Sequence, residues 1–218
     1  MKQDMNLGDP RSETDTLIGV ILAGGRSSRM GGGDKGLREL GGRTLLQHIA
    51  DRMGPQVDKL LLNVNGPAER FEKAGLLIVP DLLGEDFGPL AGILTGMDWT
   101  LRHAPSCSRF VTVPSDTPFL PFNLVAGLLH ATGGRRGVAC ARSRSRLHPV
   151  IGLWPVELAA TLRQALTVEG LRAAGTWAER YLVGIADFED ENGIDPFFNI
   201  NRPGDLAMAE AILRRNQT

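Results

Sequence analysis

Leu17-Ile18-Gly19-Val20-Ile21-Leu22-Ala23-Gly24-Gly25 is the stretch on which the fold turns. Its first seven residues form an unbroken apolar run, and two glycines end it. A strand with one wet face alternates apolar and polar residues. A run apolar at every position belongs to a strand covered on both faces, as in a parallel sheet. A polar, glycine-rich loop follows from Gly24 to Gly42. Beyond it Leu45, Leu46, Ile49, Ala50 and Met53 recur at helical spacing until Gly54-Pro55 stops the helix.

The same pattern repeats downstream. Lys59 to Val64, Leu76 to Pro80 and Arg109 to Pro114 read as further buried strands, with helices over Pro89 to Trp99 and Asn123 to His130. Val138 to Ala141, His148 to Leu153, Val183 to Ala186 and Phe197 to Ile200 are expected strands. Pro155 is expected to open a helix, since proline is tolerated at a first helical position. Pro203 opens a last helix that turns Leu206, Ala209 and Leu213 inward. Strands alternating with helices predict an α/β fold with a mostly parallel sheet, and ligands beyond the carboxyl ends of the strands. Residues 17–218 are expected to form one such domain. Residues 1–16 are polar, lack the apolar segment of a secretory signal, and read as a flexible leader.

Bulk properties narrow the function. A net charge of −1 provides no overall field for nucleic acid, so an acidic ligand would need a local basic patch. No apolar run approaches the ~20 residues that a membrane helix requires. Cys107 and Cys140 stand apart without CxxC spacing, which argues against a zinc site and a disulfide framework and leaves two plain thiols. A cytoplasmic location is the default expectation.

The loop after the first strand carries the chemistry. Between Gly24 and Gly36 it interleaves six glycines with Arg26, Arg29 and Lys35. Glycines let the backbone approach a ligand closely and let several N–H groups converge on phosphate oxygens, while the cations neutralise them. Two familiar motifs fail. Gly31-Gly32-Gly33-Asp34-Lys35-Gly36 matches G-x-G-x-x-G, but it starts eight residues past Ala23, whereas a dinucleotide fingerprint follows its strand directly. A Walker A loop needs Gly-Lys-Ser/Thr, and the chain holds no Gly-Lys pair.

Leu22-Ala23-Gly24-Gly25, Arg29-Met30-Gly31 and Lys35 together resemble the LAGG, RMG and lysine elements of the nucleotidyltransferase loop. With Asp34-Lys35-Gly36 the segment most resembles the molybdenum cofactor guanylyltransferases, and the likeness runs from Ile18 to Leu213. The resemblance implies a three-layer α/β/α nucleotidyltransferase fold and GMP transfer from GTP to the phosphate of molybdopterin, with pyrophosphate released. It implies Mg²⁺ as cofactor. Contacts with other cofactor-biosynthesis proteins and with apo-molybdoenzymes are expected as well, because the acceptor is labile. A cytidylyltransferase acting on molybdopterin and a sugar-phosphate nucleotidyltransferase remain alternatives, as does a nucleotide carrier without turnover.

Residue by residue, the resemblance implies nucleotide binding by Leu22, Ala23, Gly24 and Gly25, and charge neutralisation by Arg29 and Lys35. Asn63 and Asp81, at the ends of the second and third strands, match nucleotide contacts; taken alone, either could be a turn or cap residue. Gly88-Pro89-Leu90-Ala91-Gly92 resembles the loop near the base, with Gly92 in contact, though the same residues suit a plain helix start. Asp116, delivered by an apolar strand between Pro114 and Pro118, is the expected magnesium ligand and nucleotide contact; its plainer reading is an Asx-turn. In Phe197 to Leu206 a second metal ligand is implied, Asn201 in preference to Asn199, and Asn201 could instead cap the last helix. Arg135, Arg136, Arg142, Arg144, Arg146 and His148-Pro149 form a basic stretch that would suit an anionic acceptor or, more plainly, a solvated hairpin.

Overall fold

A computed structural model describes residues 16–24, 34–83 and 87–215. The opening run forms β1 (Ile18–Ala23), buried at every position. Its side chains alternate between two cores, as a strand's must. Ile21 and Ala23 pack with α1 (Leu45–Met53) and α3 (Leu124–Thr132), whereas Ile18, Val20 and Leu22 pack with α2 (Pro89–His103), α4 (Ala159–Thr167) and α5 (Ala174–Tyr181). Helices therefore cover both faces, and the architecture is the expected three-layer α/β/α sandwich.

The remaining strands are β2 (Glu39–Leu40), β3 (Arg43–Thr44), β4 (Lys59–Val64), β5 (Leu77–Pro80), β6 (Arg109–Pro114), β7 (Val138–Ser143), β8 (Arg146–Pro155) and β9 (Leu182–Asp187). Six of them join β1 in one seven-stranded sheet, in the order β5-β4-β1-β6-β8-β7-β9. β1 pairs in parallel with β4 and β6, β5 joins β4 in parallel, and β9 joins β7 in parallel. Only β8 runs against its neighbours β6 and β7. The order reverses at β1, which puts its carboxyl end at a switch point of the sheet.

Local chemistry explains the elements that matter for the site. Thr44 caps α1 and forms a reciprocal capping box with Gln47. Arg144 and Ser145 both take positive φ, the two-residue turn whose twist suits a hairpin, and so connect β7 to β8. Register between these strands slips past Cys140–Ala141, where Cys140 faces Gly152 and Ala141 faces His148. Pro149, which has no N–H to give a ladder, falls within the resulting bulge.

Four expectations need correction. Phe197 to Ile200 is not a strand: Phe197 packs into the α1/α3 core, Ile200 into a third cluster with Ala209, and Ile200 N–H makes a single bond to the Asp116 carbonyl, 2.9 Å. Pro155 ends β8, and helix begins after it with a 3-10 turn over Val156–Leu158. α2 runs on to His103 rather than stopping at Trp99. α5 was not foreseen, because Ala174–Tyr181 contains Gly175 and Thr176 and is held by burial of Trp177 and not by helix propensity. α6 (Pro203–Arg215) is as expected.

Both cysteines are buried thiols, and burial pushes that of Cys140 up to about 12. Among the described residues no helix is long and apolar enough to cross a membrane.

Candidate active site

The carboxyl ends of β1, β4, β5 and β6 converge. Ser115 N–H, just past β6, bonds to the Leu22 carbonyl at 3.1 Å, and Asp81 N–H, just past β5, to the Val64 carbonyl at 2.9 Å. These bonds carry the sheet one residue beyond its strands and hold Asp116 and Asp81 on either side of Ala23 and Gly24.

Lys35, Asp116 and Asn201 form the first constellation. Lys35 lies in a 3-10 turn over Lys35–Leu37. The next residue has to be glycine, because a β-carbon on Gly36 would come within 2.9 Å of Leu46 Cγ and 3.2 Å of Ser115 Cβ. The turn thus packs against the end of β6, and Lys35 Nζ reaches Asp116 Oδ2 at 3.1 Å. The same ammonium donates a short hydrogen bond to Asn201 Oδ1. Asp116 is 9% exposed, and burial pushes its carboxyl above the usual range, against the opposing pull of Lys35. Its Oδ1 is buried without a hydrogen-bond partner among the described residues.

Asn201 is placed by its neighbours. Asp205, in the first turn of α6, accepts from the backbone N–H groups of Asn201 and Arg202, both at 2.8 Å. The helix start is thus served by Asp205, while the Asn201 side chain turns to Lys35. Asn199 lines the neighbouring cavity.

The second constellation is Asn63, Asp81 and Thr95. Asn63, 1% exposed, donates to the Val79 carbonyl at 3.2 Å and to Asp81 Oδ1 at 3.0 Å. Thr95 Oγ1 lies 3.1 Å from the same carboxylate oxygen and 2.9 Å from the Ala91 carbonyl, and accepts from Leu82 N–H at 3.2 Å. Burial raises the Asp81 pKa, and these hydrogen bonds oppose the shift. A β-carbon on Gly92 would collide with Asn63 Oδ1, so glycine is what lets α2 close on the ends of β1 and β4. At Gly24 a β-carbon would stand 3.7 Å from Asp81 Oδ2, which places that oxygen beside the loop's entrance.

A cavity of about 300 Å³ opens next to the first constellation. Ala23, Gly24, Lys35 and Asp116 form one wall, and β8 from Arg146 to Ile151 forms the other. Asn63, Asp81 and Gly92 do not line it. Gly25 and Arg29, both expected in the site, lie outside the described residues. Among the described residues no three His, Cys, Asp or Glu side chains gather into a metal-binding group. A buried carboxylate beside a side-chain amide oxygen is a donor set that would suit Mg²⁺, with one or two protein oxygens and the rest of the shell from phosphate and water. The unpartnered, buried Asp116 Oδ1 fits that group.

The basic stretch mostly neutralises itself. Arg142 pairs with Asp187 at 2.5 Å, Arg144 with Asp190 at 2.6 Å and Arg136 with Glu157 at 3.4 Å, while Arg135 bonds to the Val183 carbonyl. Asp187 and Asp190 come from β9 and the segment after it, and Glu157 from the turn after β8, none of which the hairpin's own sequence could reveal. Arg146 alone of the five arginines lines the cavity. Three polar residues escaped the sequence reading: Thr95, Ser143 and Asp195. Thr95 stands in an apolar helix, Ser143 among the arginines and Asp195 after an acidic run, so nothing in the local sequence sets them apart.

The chain matches the MobA-like NTP transferase domain over residues 19–181. It is 46% identical over 202 residues to a molybdenum cofactor guanylyltransferase of Bradyrhizobium sp. (strain ORS 278), covering 92% of this chain and 95% of that protein. To the enzyme of the same name from Rhodopseudomonas palustris (strain BisB5) it is 43% identical over 208 residues, with coverage of 95% and 99%. Its fold matches the crystal structure of molybdopterin-guanine dinucleotide biosynthesis protein A from Archaeoglobus fulgidus with a TM-score of 0.70 at 23% identity, over 92% of this chain and 100% of that one.

Proposed function

The chain belongs to the MobA-like NTP transferase family, and from that premise we propose that it transfers GMP from GTP to the phosphate of molybdopterin, releasing pyrophosphate. The observation that carries this reading is the Lys35–Asp116–Asn201 constellation at the switch point of the sheet, with one buried carboxylate oxygen unpartnered among the described residues, beside a cavity of about 300 Å³.

A phosphate oxygen of the acceptor attacks the α-phosphorus of GTP. The new O–P bond forms as the bond to the bridging α,β-oxygen breaks, and pyrophosphate carries that electron pair away. Both reactants are anions, and two unit charges 4 Å apart repel by about 4 kcal/mol at an effective dielectric of 20. Lowering that repulsion is the site's main task. An ionised phosphate monoester is already a nucleophile, so no general base is required.

Lys35, which bridges Asp116 Oδ2 and Asn201 Oδ1, is the cation that pairs with the triphosphate and the departing pyrophosphate, and Arg29 is assigned the same task. Asp116 through Oδ1, with Asn201 beside it, would hold Mg²⁺. Bound there, the ion would neutralise charge building at the phosphates. Backbone N–H groups from Leu22 to Gly25 would receive phosphate or base. Asp81 Oδ2, beside Gly24, suits the N–H donors on guanine's pairing edge, while Asn63 and Gly92 act by fixing Asp81 and admitting α2. Arg146 is the cation available to the acceptor. A cytoplasmic location agrees with a GTP substrate and two buried thiols.

The test is magnesium-dependent pyrophosphate release from each of the four NTPs, with and without molybdopterin. Release with GTP only when molybdopterin is present supports the reading. Release with CTP instead moves the chain to cytidylyl transfer, and no release with any NTP from folded protein overturns it.

A further inference from the structure

His148 stands on the β8 wall of the cavity, two residues from Arg146 and therefore on the same face of the strand. Its ring is held from two sides. Phe197 packs on it at 4.8 Å between centroids and is itself braced by Phe188 at 5.4 Å. Ser143 Oγ lies 2.9 Å from His148 Nε2 and 2.7 Å from Asp195 Oδ1. Asp195 Oδ1 also accepts from Phe197 N–H at 2.9 Å, so the segment that supplies the stacking ring also supplies the carboxylate.

Proton counting decides the tautomer. A hydroxyl has one proton and a carboxylate only accepts, so the Ser143 proton goes to Asp195. Ser143 can then only accept from His148, which puts the imidazole proton on Nε2. In the neutral ring Nδ1 is left as a bare acceptor, and it has no hydrogen-bond partner among the described residues. A bare lone pair is a poor neighbour for phosphate and a good one for an N–H group. Arg146 and His148 thus offer opposite chemistry side by side on one strand, a cation for an anionic group and an acceptor for an uncharged N–H-bearing ring.

We propose that Asp195 and Ser143 are positioning residues that lock His148 in the Nε2–H tautomer, so that Nδ1 receives an N–H of the acceptor's heterocycle and sets which end of the acceptor enters the cavity. The proposal rests on the guanylyl transfer to molybdopterin proposed above.

The test combines ¹⁵N NMR of the histidine rings with steady-state kinetics in GTP and molybdopterin. Wild-type protein is expected to show His148 as the Nε2–H tautomer, and Ser143→Ala to lose that preference. Ser143→Ala and His148→Gln should each raise the KM for molybdopterin roughly three- to tenfold, as expected for one hydrogen bond, while the KM for GTP stays within about twofold. Glutamine keeps a donor for Ser143 but has nothing in place of Nδ1. His148→Asn, which restores a polar atom there, should recover part of the loss. An unchanged GTP KM also reports that the variants fold. An Nδ1–H tautomer in the wild type, or an active enzyme whose molybdopterin KM ignores both substitutions, overturns the positioning role and leaves the function intact. Wild-type protein that forms no product from GTP and molybdopterin overturns the functional reading, and the acceptor role of His148 with it.

Discussion

The two carboxylates flanking Gly24 are built to opposite specifications. Asp81 is reached by the nearest possible means: Asn63 and Thr95 lie 18 and 14 residues away on adjoining elements and both address one of its oxygens. Asp116 is met by partners 81 residues away at Lys35 and, through that lysine, at Asn201 near the other end of the chain, and one of its oxygens has no hydrogen-bond partner among the described residues. The first arrangement is held in place before any ligand arrives and keeps Oδ2, the oxygen beside Gly24, to read a base. The second is left short of positive charge and has something to gain from a cation or a phosphate-bound metal. A site that must discriminate a base and also stabilise developing charge uses both.

Breaking the unfinished side should have the largest effect. Asp116→Ala is expected to lower kcat/KM for GTP by at least 10²–10³, the scale of losing an electrostatic contact made in the transition state; retained turnover in a pyrophosphate-release assay would remove the assignment. Gly92→Ala attacks the finished side through packing. The added methyl meets Asn63 and Leu22, and unfolding in urea should show about 1–3 kcal/mol lost, as overpacking does. Asp81→Asn keeps the shape and the donors' target, so stability should barely move, while the preference for GTP over CTP falls by about tenfold, one charge-assisted bond's worth. An unchanged preference would return Asp81 to a purely structural role.

The smallest effect sharpens the contrast by pH. Burial raises the Asp116 pKa in the folded chain, so between its ordinary and its folded value the native state holds more protons than the unfolded one. Stability from this group is therefore present below the ordinary carboxyl range and is lost as pH rises through the folded pKa. Asp116→Asn should flatten that fall and raise the melting temperature at neutral pH in the absence of Mg²⁺. A melting temperature that drops instead would mean that the Lys35 pair outweighs the burial.

Much of this was legible beforehand because the chemistry was written in runs. β1 announced its two buried faces by being apolar throughout, and the two clusters on either side of it bear that out. The loop's glycines and lysine, Pro114 to Pro118 and the Asn-rich segment near the end were each long enough to stand out. What stayed hidden was single residues and reversals. Thr95 is one threonine in an apolar helix, and Ser143 and Asp195 mean something only after a two-residue turn and a bulge have brought β8 back against β7. The false strand over Phe197 to Ile200 is a short, mostly apolar segment whose residues are buried without a ladder, Phe197 in one core and Phe198 and Ile200 in another.

The bond from Ile200 N–H to the Asp116 carbonyl has a consequence for how the protein is made. All seven strands of the main sheet are complete by Asp187, and yet Asn201 and the backbone latch on Asp116 come later. A nascent or truncated chain that ends shortly after β9 would own the entire sheet and both thiols but not a closed site. Competence for chemistry would then arrive with the final segment of synthesis, as the last clasp on an already folded body.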